Sequence, residues 1–251
     1  MSGLLLHLAS PLQSWGAPSQ FSTRLTHPHP TRSALTGLLA CALGRDRKEP
    51  VEDLAELGYT VRIDRPGQQL RDYHTVGGGY PRERTVITAE GKRRSESTST
   101  LVSHRWYLSD AAFTVAVTGP ADTIALAAAA LRTPHWHPYL GRRSCPPSAP
   151  LLITEHPDPV TALDMVPLHR DTERQAAMVE VGFVYEADPS STGVPPARVI
   201  EDVPAADRSR TFGTRALWET TRALPADLCA GYGTQYLTAI TQYRDQLHTA
   251  A

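Results

Sequence analysis

The chain has 251 residues, 41% of them apolar, enough to bury a sizeable core as one large domain or two smaller ones. No stretch approaches the roughly 20 apolar residues that cross a bilayer, and the opening run "LLLHLA" lacks the basic flank and small-residue cleavage site of an export signal. Cys41, Cys145 and Cys229 are far apart, odd in number and free of CxxC spacing, which argues against a disulfide framework or a zinc knuckle and fits a reducing cytoplasm.

The formal net charge of -1 hides an asymmetry. Residues 1–150 hold 17 Lys and Arg against 12 Asp and Glu, whereas residues 151–251 hold 8 against 14. The two halves therefore face different partners. Only Lys48 and Lys92 are lysines, and the planar arginine fork suits bidentate phosphate contact and stacking on bases. Codon bias in a GC-rich genome produces the same preference.

"GLLLHLA" (3–9) has the length of a strand. "TRSALTGLLACALG" offers Ser33 as N-cap, helical apolar spacing and Gly44 as a stop. "YTVRID" (59–64) alternates as a half-buried strand does, and "AAFTVAVTG" (111–119) is rich in β-formers. Asp122 heads the alanine-rich helix "TIALAAAALR", and "APLLITE" supplies a further strand. The order βαββαβ predicts an α+β, ferredoxin-like (RRM-like) domain over residues 1–156, with two helices on one face of a four-stranded sheet and the other face free. Beyond it, "MVEVGFVYE", "PARVIED" and a terminal helix in "CAGYGTQYLTAITQYRDQL" predict a smaller, acidic, partly β C-terminal domain over 157–251.

The second and third strands are separated by far more residues than a hairpin turn needs. Inside this insertion, "RTVITA" and "STLVSHRWYL" flank the tip Gly-Lys-Arg-Arg. They predict a protruding β-hairpin with a basic end, a thumb over residues 77–106.

Four stretches combine glycine, aromatic and polar residues without hydrophobic periodicity: "SPLQSWGAP", "HPTRS", "RDYHTVGGGY" and "YLGRRSCPPSAP". Helix N-termini and arginine-glycine loops offer N–H groups and positive charge to phosphates, so together they outline a track for a nucleic-acid backbone. The candidate RNA contacts are Gln13, Trp15, Arg32, Ser33, His74, Arg105, Arg142, Arg143 and Ser144, with Lys92, Arg93 and Arg94 at the hairpin tip. Trp15 is a candidate base platform, as is Trp106. Each has a plainer reading: Trp15 in the core, Arg32 paired with a carboxylate, "GRRSCPPS" as an ordinary tight loop. HxH pairs at His27/His29 and His135/His137 lack further ligands in pattern, so no metal and no cofactor is expected. Arg71, Tyr73 and His74 admit two readings, either a base, acid and cation for metal-independent RNA cleavage or packing at the base of the thumb.

The motifs "SPLQSWG", "PTRSALTGLLACALG", "LRDYHTV", "SHRWYLSDAAFTVAV" and "YLGRRSCPPSAPL", in this order, resemble the fifth CRISPR-associated family of the RAMP superfamily, in the form of the CasD subunits of type I-E Cascade. The resemblance runs from about residue 4 to 155 and fades beyond. It implies a non-catalytic cap that grips the 5′ handle of CRISPR RNA, with the thumb beside the backbone subunit CasC, the large subunit CasA docked alongside, and residues 140–148 as the glycine-containing loop on the handle. It also implies antiviral defence in which base pairing supplies specificity and protein contacts hold the guide. In type I-C systems the equivalent family member cuts precursor RNA. Type I-E systems have a separate endonuclease, CasE, which favours holding over cutting for Tyr73 and His74.

Overall fold

A strand reading Leu-Leu-Leu-His-Leu is stable only where both of its faces are covered. The computed structural model, which describes residues 3–19, 21–46, 48–172, 176–204 and 212–250, supplies both covers. β1 (Gly3–Ala9) is buried at every position. Four two-residue strands follow: β2 (Leu12–Gln13), β3 (Trp15–Gly16), β4 (Thr23–Arg24) and β5 (Thr26–His27). Thr31 rather than Ser33 caps α1 (Arg32–Ala42), its hydroxyl accepting the Ala34 N–H at 3.4 Å. Gly44 ends this segment at φ +75°, where a side chain would be strained and would strike His135.

Next come α2 (Glu52–Ala55), β6 (Gly58–Arg65), β7 (Gln68–Val76), β8 (Leu101–Ser109), β9 (Ala112–Thr118), α3 (Ala121–Arg132), β10 (Leu152–His156) and α4 (Pro159–Ala162). The acidic half adds β11 (Met178–Tyr185), β12 (Arg198–Pro204), β13 (Phe212–Pro225) and α5 (Gly233–Ala250). The result is a mixed α/β fold around one large antiparallel sheet, ordered β10-β1-β9-β6-β11-β13-β12. The strands beyond residue 156 thus pair onto β6 and continue the sheet of the first half.

Side-chain alternation sorts the core into two layers. Leu4, Leu6, Leu8, Phe113, Val115 and Val117 pack under α1 and α3. Leu5, Ala116 and Ile153 face the other way, against Ala162, Leu163, Val166 and Leu168, with Ile240 and Tyr243 of α5 packed on this second cluster. The expected free sheet face is therefore corrected. It is apolar enough to need a cover, and the segment after β10 together with α5 provides one.

The insertion also differs from expectation. The hairpin stem is β7 against β8, paired from Gln68↔Ser109 to Val76↔Leu101. "RTVITA" contributes only an isolated bridge, Ile87↔Arg93. Gly77, Gly78 and Gly79, all at positive φ, end β7 and turn the chain into the irregular cap that ends at β8.

Candidate nucleic-acid interface

Residues opposite one another in an antiparallel pair share a face. One side of the β7–β8 ribbon therefore carries Arg71, Tyr73, His104 and Trp106, and the other carries Asp72, His74, Ser103 and Arg105. Tyr73 is 64% exposed, its ring 5.6 Å from that of His104. His74 turns away from it and sets Nδ1 3.4 Å from Asp72 Oδ2. Arg71 and Tyr73 are thus separated from His74 by the thickness of the ribbon.

β8 is shared with a second set of strands. β2 pairs antiparallel with its end at Leu108 and Ser109, and β4 runs parallel beside it with Arg24 in register with Arg105. The glycine-arginine loop closes onto the same strand. Leu140 and Cys145 are buried and joined by a 2.8 Å backbone hydrogen bond, and Ser14 N donates to Leu140 O at 3.1 Å. Gly141, at φ +87°, approaches Ser14 so closely that a Cβ would lie 1.5 Å from the Ser14 carbonyl oxygen. Only glycine fits there. Arg142 then lies over Tyr107 at 4.4 Å and donates to Arg24 O at 3.3 Å, while Arg143 and Ser144 are exposed beside it. Arg24, Arg105 and Arg142 so gather on one side, with Arg143 at the rim.

At the distal end, Lys92 is exposed and 3.9 Å from Glu90. Arg93 donates to Thr85 O at 2.6 Å and Arg94 to Thr98 O at 3.3 Å. These two arginines brace the cap through one nitrogen each.

Three predicted contacts, Trp15, Gln13 and Arg32, are withdrawn from the surface. Trp15 is wholly buried, edge-on to Phe113 at 6.3 Å, so it is a core residue and not an exposed platform. Trp106, by contrast, is half-buried on the ribbon. Gln13 is buried too, its amide donating to Ala111 O at 2.7 Å. Arg32 pairs with Glu186, donates to Ala55 O at 2.6 Å and lies 5.4 Å from the Tyr59 ring centre. Glu186 in turn sits 2.9 Å from Arg215, which grips Asp202, and Asp202 accepts the Arg32 N–H at 2.7 Å. The Arg32 guanidinium is thus spent on Glu186 at the end of β11 and on α2, its backbone N–H ties α1 to β12, and burial pushes the Glu186 carboxyl up. Ser33 lies within that first turn, 3.3 Å from the Thr31 hydroxyl.

Arg24 and Tyr107 were missed. Only the polar-apolar alternation of "STRLT" hinted that Arg24 is on a strand. A cleft of about 600 Å³ at the ribbon base is lined by Arg65, Gln68, Asp110, Arg170 and Tyr232. Its central cation is already committed, Arg65 bonding to Asp110 and lying 4.6 Å from the Tyr232 ring centre.

Comparison with known proteins gives a consistent result. A family model described as CRISPR-associated protein (Cas_Cas5) matches residues 3–217. The Escherichia coli (strain K12) protein described as CRISPR system Cascade subunit CasD is 39% identical over 178 residues, 64% of this chain and 75% of that protein. A solved chain of a CRISPR RNA-guided surveillance complex is 46% identical with a TM-score of 0.84, covering 96% of this chain and 98% of the other. A crystal structure of a Cas protein matches at 32% identity and a TM-score of 0.62, over 92% and 98% of the two chains. The likeness therefore extends past residue 156, where the sequence motifs fade.

Proposed function

This chain belongs to the CRISPR-associated Cas5 family, and on that premise we propose that it is a non-catalytic subunit of a type I-E Cascade that caps the 5′ handle of CRISPR RNA. The observation that carries this reading is the near-complete match, at 46% identity, to a chain of an RNA-guided surveillance complex. The gathering of Arg24, Arg105, Arg142 and Arg143 on one side of the ribbon, whose other side carries Tyr73, His104 and Trp106, supports it, because phosphate contacts hold a single strand whatever its sequence.

In this reading the strand order β10-β1-β9-β6, all antiparallel, with α1 and α3 on one face, is a ferredoxin-like palm. The β7–β8 ribbon and its cap are the thumb. Residues 1–156 hold RNA, and residues 157–251 form a C-terminal region that seals the back of the palm. Handle binding then uses the palm edge and thumb, since the sheet face is covered. CasC beside the thumb and CasA alongside are the proposed protein partners, with the complex working in the cytoplasm. Among the described residues no helix is long and apolar enough to cross a membrane. The test is ribonuclease protection in complexes assembled with this chain. The 5′ end of the RNA is expected to be shielded only when the chain is present, and equal digestion with and without it rejects the role.

The His74–Asp72 contact favours one alternative, metal-independent cleavage of precursor RNA. Tyr73 and Arg71 on the opposite side of the ribbon argue against it, since a base and an acid must reach the same scissile phosphate. Incubation with repeat RNA in EDTA is expected to leave the RNA intact. Specific cleavage that disappears in His74→Ala would overturn the non-catalytic reading.

Counterion release distinguishes the arginines. Arg142→Ala and Arg143→Ala are each expected to weaken handle binding and to flatten the slope of log affinity against log salt by about 0.7. Arg32→Ala is expected to leave that slope unchanged while lowering the melting temperature. A flattened slope in Arg32→Ala with wild-type slopes in the other two would reverse the assignment.

A further inference from the structure

Phe21 has the greatest exposure of any large apolar side chain among the described residues, at 92%, and its backbone is at φ +48°. A bulky residue in the left-handed region is a conformational outlier, and such outliers persist where the surroundings over-determine them. Here they do. Ser22 O accepts the His104 N–H at 2.9 Å, and Thr23 and Arg24 pair with His104 and Arg105 of β8. On the other side of the turn, Leu25 N donates to the Ser19 hydroxyl at 3.0 Å, and that hydroxyl donates to Ala17 O at 2.8 Å. A braced turn thus holds an apolar ring out in solvent, an arrangement unfavourable for the chain alone.

The surroundings indicate what covers it. Ser19, Ser22 and Thr23 beside it are polar, and within this turn only Leu25 adds further exposed large apolar surface, less than the apolar core that a protein partner buries. It is instead three positions along the chain from Arg24, which belongs with Arg105 and Arg142 to one arginine cluster. A flat apolar face on the turn that leads into an arginine-bearing strand suits a flat base whose neighbouring phosphates meet those arginines.

We propose that Phe21 is a stacking platform for one unpaired base of the bound RNA, a role that rests on the RNA-binding reading above and adds a residue to it. The probe is a single-stranded RNA of the handle sequence carrying 2-aminopurine at successive positions, bound to the full chain. Phe21→Ala is expected to weaken binding roughly tenfold and to change the fluorescence of 2-aminopurine at one position. Phe21→Leu should behave as alanine does, having no π face, and Phe21→Trp should retain affinity and have its own emission quenched by RNA. An unaltered melting temperature shows that each variant is folded, as expected for a side chain outside the core.

If wild type and Phe21→Ala bind equally well, the stacking role is overturned while RNA binding stands. If wild type binds no RNA, both fall. If Phe21→Ala binds RNA normally but fails to join the assembled complex, the ring is a protein contact and the proposal is wrong.

Discussion

Replacing Arg62 by alanine is expected to destabilise the fold by about 3–5 kcal/mol, a large part of what holds a domain folded. Arg62 and Asp64 are both fully buried on the covered sheet face, with Arg62 Nε 2.7 Å from Asp64 Oδ1. The same guanidinium bonds to Leu163 O, to Val166 O at 2.7 Å and to Pro167 O at 3.0 Å, and so satisfies the carbonyls of the turn after α4. Thr114 and the His169 N–H complete the shell around Asp64. Alanine would leave two buried carbonyls, one part-buried carbonyl and a buried carboxylate short of donors, and this penalty exceeds the net worth of the pair when intact. The double variant Arg62→Met, Asp64→Leu is accordingly expected to lose less than Arg62→Ala alone. Urea unfolding followed by tryptophan fluorescence measures both, and an unchanged midpoint in Arg62→Ala would refute the assignment.

The second large effect is an acid-induced loss of stability. His7 and His169 meet at 2.9 Å between Nε2 and Nδ1, one ring donating and the other accepting. Tyr236 of α5 stacks on His169 at 4.1 Å and lies 4.6 Å from His7. Burial pushes His7 down to about 4, opposed by Asp64 and aided by Arg65 and Arg62. Burial, then the neighbouring His7 and Arg65, pushes His169 down to about 3. Both folded values lie below the unfolded one near 6.5, so the unfolded chain binds more protons between these limits. Stability is full above about pH 6.5 and is lost as pH falls towards the folded values, by about 3 kcal/mol or more at pH 4. His7→Asn, His169→Asn should flatten this dependence between pH 6.5 and 5, before most carboxylates titrate. If the double variant and wild type lose stability in parallel over that range, another group is responsible.

Elements defined by local chemistry were legible in the sequence: the leucine run of β1, Gly44 after α1, and the β-rich stretches of β6, β9, β11 and β12, whereas the long β13 was not. Of the ribbon stem only β8 was, in "STLVSHRWYL"; its partner β7 was not. Gln68–Val76 is exposed or half-exposed at every position, so no apolar alternation marks it as a strand. Partners distant in sequence were equally hidden. Nothing near Arg32 announces that Glu186, 154 residues on, takes its charge. Trp15 and Gln13 share a motif with exposed residues, and composition does not distinguish a tryptophan that stacks on RNA from one that meets Phe113. In the loop at 140–145 the glycine was legible as a special backbone position, and its reason, the close approach to Ser14, again lay far off in sequence. Arg24 escaped notice because its strand has only two residues.

β1 leaves the ribosome well before its sheet neighbours, β9 more than a hundred residues later and β10 later still. Until β9 is made β1 has no strand partner, and after the addition of β10 Leu5 and His7 still await the segment after β10 and α5 to cover them. Closing such distant pairings is slow, and exposed apolar strands associate with one another meanwhile. Production of this chain should therefore depend on chaperone capacity and translation speed more than its final stability suggests. Truncations that remove α5 should show the cost first as lost soluble yield.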